Sequence, residues 1–267
     1  MTTPPISIAN GIAYGGDFRI GSPSTAPTVI FQGDSRIYNI KGDGVHQIQD
    51  YITLPTYLGQ TINKINRAWP SNSVYAMLND NSAVGAANQV NNALAYNAPL
   101  NIEVFGPATL NDMGQLGRTY AQMQSDTKAY CNKRRAMGIK MVYCPEVSAV
   151  TIGAAGNGDD LKNVMWGWSM AGGAGNEYWR TFADAFIPVA NYPPFGQNGG
   201  VNAGYNYSAY YNVDGCHWTE AGTQALAAIF QPVLVNFINS LAAANYQKPP
   251  LPSFLDLVER VKRLEAL

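Results

Sequence analysis

Ser35, and far from it in the chain the pair Asp214 and His217, have the types needed for nucleophilic acyl chemistry. Ser35 ends the stretch Thr28-Val29-Ile30-Phe31-Gln32-Gly33-Asp34-Ser35. Val29, Ile30 and Phe31 form a short apolar run of the kind that becomes a buried strand. Gly33 then permits a sharp turn. The hydroxyl of Ser35 is thereby presented at a strand's C-terminal end, where α/β enzymes place a nucleophile. Gly, Asp and Ser also favour turns for local reasons, so the stretch by itself reads equally as a turn or helix cap. The far end of the chain decides between the two. Asp214-Gly215-Cys216-His217 carries one of only two histidines, with an acid three residues before it. A serine nucleophile needs a base to take its proton, and the base needs a carboxylate to fix its tautomer. One turn supplies both. The other histidine, His46, reads as a surface or loop residue.

Together these stretches resemble the SGNH (GDSL-like) hydrolase family. That family carries Gly-Asp-Ser near the N-terminus and Asp-x-x-His near the C-terminus, with a glycine five residues after the histidine. Gly222 stands at that place. The resemblance implies a three-layer α/β/α sandwich with a parallel central sheet. It also implies oxyanion donors from the Ser35 amide, a Gly and an Asn, and no metal or organic cofactor. For the glycine, Asn81-Ser82-Ala83-Val84-Gly85 looks like the family's second block and points to Gly85. For the asparagine, Asn79-Asp80 and Asn111-Asp112 are both candidates; the family's block order favours Asn111. The usual motif is Gly-x-Asn-Asp, and Thr109 stands where its glycine is expected.

Elements must carry these residues. Strands are expected at Val29–Phe31, Val74–Leu78, Ile102–Gly106 and Ile139–Pro145. Leu58, Ile62 and Ile65 at helical spacing predict a core-facing helix over 55–67. A helix over 114–137 follows from Leu116, Tyr120, Met123, Thr127, Tyr130 and Cys131. Lys133, Arg134 and Arg135 fall in its last turn, where cations favour a helix end, and Gly138 is a natural C-cap. A helix over about 175–190 would present Trp179, Phe182 and Phe186. Thr219 can cap a last helix to about Leu241, with Leu226, Phe230, Val233, Phe237 and Leu241 inward and Pro232 kinking it. Alternation of strand and helix argues for a parallel sheet covered on both faces.

Composition narrows the partners. The chain has 267 residues, a net charge of −1 and only 13% charged residues, about half the usual share. No Lys/Arg stripe forms, which argues against nucleic acid. No apolar run reaches the roughly 18 residues of a membrane span. Residues 151–213 are rich in glycine and aromatics, and the remainder of that region reads as long loops. Such loops fit an aromatic wall that stacks on sugar rings, with Trp166, Trp168, Tyr210 and Tyr211 as substrate-contacting candidates. They also fit plain packing of loops onto the domain. Cys131, Cys144 and Cys216 have no metal-ligand spacing. Cys131 and Cys144 read as buried thiols, and Cys216 as a neighbour of the base rather than a nucleophile.

Residues 1–27 read as an arm or linker with a short strand or hairpin around Ile6 to Phe18, lacking a signal-peptide pattern. Residues 28–246 read as the hydrolase domain. Residues 247–252 are a stiff proline linker. Residues 253–267 are a charged amphipathic helix in which Phe254, Leu257, Val261 and Leu264 form a heptad seam. Two heptads do not hold a helix alone in water, so a homo-oligomer is expected, with a trimer favoured. An acylated carbohydrate, most simply an O-acetylated bacterial surface polysaccharide, is the expected substrate. A trimerising tail on such an enzyme would suit a bacteriophage tail fibre or an extracellular setting. The alternatives are a lipase or thioesterase on the same fold and a fibre tip that binds without chemistry.

Overall fold

The structure, a computed structural model, describes residues 8–9, 12–13, 26–38, 46–79, 98–149, 158–193, 195–196 and 207–247. Ile8–Ala9 (β1) and Ile12–Ala13 (β2) pair antiparallel as a small hairpin. The main sheet has five strands: Thr28–Gln32 (β3), Asn63–Asn66 (β4), Asn101–Phe105 (β5), Lys140–Tyr143 (β6) and Ala185–Phe186 (β7). Their order is β4-β3-β5-β6-β7, and every pair is parallel. β3 lies in register with both neighbours, Thr28 facing Asn63 on one side and Asn101 on the other. Both central strands are buried along their whole length, as a parallel sheet covered on two faces requires.

Helices cover the two faces. On one, Val29, Phe31, Ile102, Val104 and Val142 pack with Leu226, Phe230, Leu234 and Ile238 of the helix that ends the domain. On the other, Phe105, Met141 and Tyr143 pack with Val74, Met77, Tyr130 and Cys131. The helices are Ser35–Tyr38 (α1), Val74–Asn79 (α2), Leu110–Leu116 (α3), Tyr120–Ala136 (α4), Gly158–Met170 (α5) and Glu220–Ala243 (α6). The architecture is the three-layer α/β/α sandwich expected. α6 is also long and apolar enough to cross a membrane, by length and composition only. Its apolar residues Leu226, Phe230, Leu234 and Ile238 line the core, and Pro232 lies inside it.

Several elements differ from the sequence reading. Residues 74–78 form α2, not a strand. Asp112 explains why: its carboxylate accepts from the Val74 amide at 2.7 Å and the Tyr75 amide at 2.9 Å. Those are orphan donors of a helix's first turn, and their partner comes from another part of the chain. The second strand is instead β4, inside the stretch expected to be helical. It is an edge strand of sequence Asn-Lys-Ile-Asn, too polar to show a strand's pattern. Leu58, one of the three helical-spacing residues, stands 44% exposed in a turn. The region 175–190 holds a 3-10 turn at Tyr178–Thr181 followed by β7, while α5 occupies part of what read as loop. Arg134 turns inward, its guanidinium 3.4 Å from buried Glu103 of β5. The proposed C-terminal coiled-coil helix, residues 253–267, lies outside the described residues.

Candidate active site

β3 ends at Gln32, and α1 begins at Ser35. The two residues between set the nucleophile's place. A Cβ on Gly33 would sit 2.7 Å from the Ile37 side chain and 3.0 Å from the Pro107 carbonyl, so the chain can pass there only as glycine. Asp34 is fully buried, and its Oδ1 accepts from the Arg36 amide at 2.9 Å. The Ser35 hydroxyl is thereby fixed at the C-terminal edge of the sheet.

The base arrives from the opposite end of the chain. Asp214 Oδ1 accepts from the amides of Cys216 and His217, each at 3.0 Å. Its Oδ2 lies 2.9 Å from His217 Nδ1, and His217 Nε2 lies 2.8 Å from Ser35 Oγ. These partners assign the ring: Nδ1–H donates to Asp214, and Nε2 accepts from the serine hydroxyl. Partial burial works to raise the Asp214 pKa, but the two amides and the ring outweigh it and hold the carboxyl below its ordinary range. The turn is anchored from behind. Trp218 is 1% exposed and packs edge-on against Phe195 at 5.9 Å. Thr219 donates its amide to the Tyr210 carbonyl at 3.0 Å and caps α6 through its hydroxyl. Gly222 passes against that same carbonyl, where a Cβ would approach to 2.1 Å. Asp43-Gly44-Val45-His46 repeats the Asp-x-x-His spacing, a feature the sequence reading overlooked. Asp43 lies outside the described residues, and it is His217 that meets Ser35.

Asn111 sits in the first turn of α3, beyond β5. Its Nδ2 donates to the Asn72 carbonyl at 2.8 Å, and Asn72 Nδ2 lies 3.4 Å from the Gly33 carbonyl. Loops leaving β3, β4 and β5 therefore meet beside the nucleophile. A side-chain amide has two N–H donors, so Asn111 can hold Asn72 and still offer one to a substrate oxygen. Gly85 lies outside the described residues. Its reading rested on a strand at 74–78, and the loop that leaves the actual second strand is 67–73. Ser71 in that loop has a φ of 62°, the left-handed region that a non-glycine residue seldom adopts.

Of the four aromatics expected at substrate, Tyr211 is 1% exposed and its hydroxyl donates to the Ser148 carbonyl at 2.8 Å. Its ring is anchored inside the core rather than offered to a sugar. Trp168 stacks on Phe182 at 5.0 Å and Trp166 packs on Phe186 at 5.5 Å. Both rings are half-buried against these neighbours. Tyr210 is half-buried, and its carbonyl accepts the amide of Thr219, two residues beyond His217. Trp69 was missed: it is 48% exposed, its amide donates to the Gly33 carbonyl at 3.3 Å, and Tyr38 lies edge-on at 6.1 Å. The one cue in the sequence is a large aromatic before proline in a loop.

Burial pushes the Cys216 thiol up to about 11, with Arg36 pulling the other way. It is a protonated thiol at neutral pH and no rival nucleophile. Cys131 and Cys144 are buried free thiols, as expected. Among the described residues no group of three or more His, Cys, Asp or Glu could hold a metal ion.

No protein-family model matches the sequence, and no curated protein does. Solved structures do match the fold. TesA superposes with a TM-score of 0.51 at 17% identity, over 79% of this chain and 99% of that one. A GDSL-like lipase from Bacteroides thetaiotaomicron gives 0.50 at 14%, over 80% and 88%. An acetyl esterase solved with acetate ion gives 0.50 at 14%, over 80% and 99%. The chain thus has the fold of the SGNH (GDSL-like) hydrolases.

Proposed function

We propose that the protein is a serine hydrolase of carboxylic esters. The observation that carries this reading is the continuous relay from Ser35 Oγ through His217 to Asp214, at 2.8 and 2.9 Å. Ser35 attacks the ester carbonyl while His217 Nε2 takes its proton. The proton then passes to the leaving alcohol as the tetrahedral intermediate collapses to an acyl-enzyme. Asp214 stabilises the imidazolium meanwhile. Water, activated by the same histidine, releases the acid and restores Ser35. The Ser35 amide and the Asn111 side chain are the proposed oxyanion donors, with a further backbone donor from Gly85 or from loop 67–73. Each such donor is worth about 10²–10³ in rate.

The proposed substrate is a small acyl ester, most simply O-acetyl, on a carbohydrate. The low charge and high aromatic content of the chain support it, as does Trp69 standing exposed beside the nucleophile turn. Oligomerisation through residues 253–267, as a trimer on a phage fibre, belongs to the same proposal. The test is acetate release from an O-acetylated bacterial polysaccharide, wild type beside Ser35→Ala. Acetate from wild type alone supports the nucleophile and the substrate class together. A preference for p-nitrophenyl esters of eight carbons or more would overturn the acetylesterase reading in favour of a lipase or thioesterase. Silence on every ester would favour a binding module.

A further inference from the structure

Behind Ser35 runs a buried path of charge-assisted bonds. Arg36, the next residue, is 1% exposed. On one side its guanidinium grips Asp34, with Nη2 to Oδ2 at 2.7 Å and Nε to Oδ1 at 3.1 Å. On the other, Nη1 donates to Glu146 Oε1 at 2.5 Å. Glu146 is 2% exposed and stands in the loop after β6. Its second oxygen, Oε2, accepts twice from Thr109: from the amide at 3.1 Å and from the hydroxyl at 2.8 Å. Thr109 stands immediately before α3, two residues before Asn111, and its hydroxyl is committed to Glu146 rather than to the helix. The path Asp34–Arg36–Glu146–Thr109 therefore begins one residue before the nucleophile and ends two residues before the proposed oxyanion donor.

The charge count explains why Thr109 matters. Two carboxylates face one guanidinium, so neutral donors must satisfy the remaining negative charge. Among the described residues they are the Arg36 amide, the Val147 amide (3.1 Å to Oε1) and the two donors of Thr109. A buried charge that loses a partner is costly, and bonds to ionised groups are the short, strong ones. The start of α3, which bears Asn111, is thus clamped to the start of α1, which bears Ser35, through a shared carboxylate, not merely packed beside it. It also accounts for a threonine where the GDSL-like motif has glycine: the hydroxyl has a partner here.

We infer that Glu146 and Thr109 are positioning residues, which set the Asn111 donor against Ser35 by way of Arg36. This rests on the ester-hydrolase reading above. A donor displaced by about 1 Å costs on the order of 10²-fold in rate, and losing one of several clamping bonds should cost a part of that.

Thr109→Val keeps the side chain's shape and removes only the hydroxyl. The measurement is kcat and KM for p-nitrophenyl acetate, normalised to the Ser35 sites labelled by a fluorophosphonate. Per labelled site, kcat is expected to fall about tenfold with KM within about twofold, and Thr109→Ser should recover most of the loss. A purely structural role would lower the melting temperature or the labelled fraction and leave kcat per labelled site unchanged. That result, or a serine variant as slow as the valine one, overturns the inference. Thr109→Ala carries the same expectation if valine prevents folding. Wild type that neither labels nor turns over any ester overturns the hydrolase reading and this one together; an active wild type with an unaffected Thr109→Val overturns this one alone.

Discussion

Asp214 holds His217 twice, accepting its backbone amide at 3.0 Å on Oδ1 and its ring Nδ1–H at 2.9 Å on Oδ2. One carboxylate thereby fixes both the ring's place and its tautomer. Asp214→Asn keeps an oxygen for the amides but can turn an N–H toward Nδ1, which favours the unproductive tautomer. Steady-state kinetics should show kcat lower by about 10³–10⁴, with a melting temperature close to wild type. Activity left nearly intact would remove Asp214 from the mechanism.

Asn111 spends one N–H on the Asn72 carbonyl, and on the proposed mechanism its second serves the oxyanion. Asn111→Ala should lower kcat by about 10²–10³ while KM changes little, because the bond in question forms only in the transition state. A rise in KM at constant kcat would place Asn111 in ground-state binding instead.

Gly222 tests the packing behind the base. A methyl there would meet the Tyr210 carbonyl at 2.1 Å, and that carbonyl accepts the Thr219 amide. Gly222→Ala should cost about 1–3 kcal/mol in denaturant unfolding. It should also slow turnover, since relief of the clash must shift the start of α6 and the turn attached to it. Wild-type stability would show that the helix start can yield without cost.

The cysteines give a pH test. Burial raises the Cys216 pKa from 9.0 to about 11 and lifts Cys131 and Cys144 well above the ordinary value. Native protein at pH 8 should resist iodoacetamide, and denatured protein should take up three equivalents. Above pH 9 the unfolded chain loses thiol protons that the folded chain keeps, so stability falls as pH rises from about 9 to about 11. Cys216→Ser should lose its part of that slope, which the difference between the two unfolding curves isolates. Rapid native labelling of Cys216 at pH 8 would contradict its raised pKa.

Trp69 separates substrate binding from chemistry. Trp69→Ala should raise KM for an acetylated polysaccharide several-fold, as loss of a stacking surface does, and leave kcat/KM for p-nitrophenyl acetate nearly unchanged. Equal effects on both substrates would make it a packing residue of the Tyr38 contact.

The residues of the proposed triad were legible because their signals are local. Asp214 and His217 share one turn, and Ser35 comes one short turn after a run whose burial is written in Val29, Ile30 and Phe31. What escaped depends on partners distant in sequence. β4 is polar because it is an edge, so no pattern announces it. α2 is a helix because Asp112 satisfies its first amides from across the fold. Arg36 and Glu146 pair across 110 residues, a spacing no motif encodes. The aromatics show the same limit: composition gave their abundance, while the packing of Tyr211 and Trp168 and the exposure of Trp69 are set by tertiary neighbours.

Ser35 and His217 stand 182 residues apart in the chain, and four of the five sheet strands lie after the serine. During synthesis the proposed nucleophile therefore emerges long before its proposed base. At 5–20 residues per second the interval is roughly ten to forty seconds. A ribosome-bound chain stopped anywhere in that interval carries Ser35 without His217. On the proposed mechanism, hydrolysis can begin only once His217 has emerged and packed beside Ser35, so the appearance of activity would time the assembly of that pair.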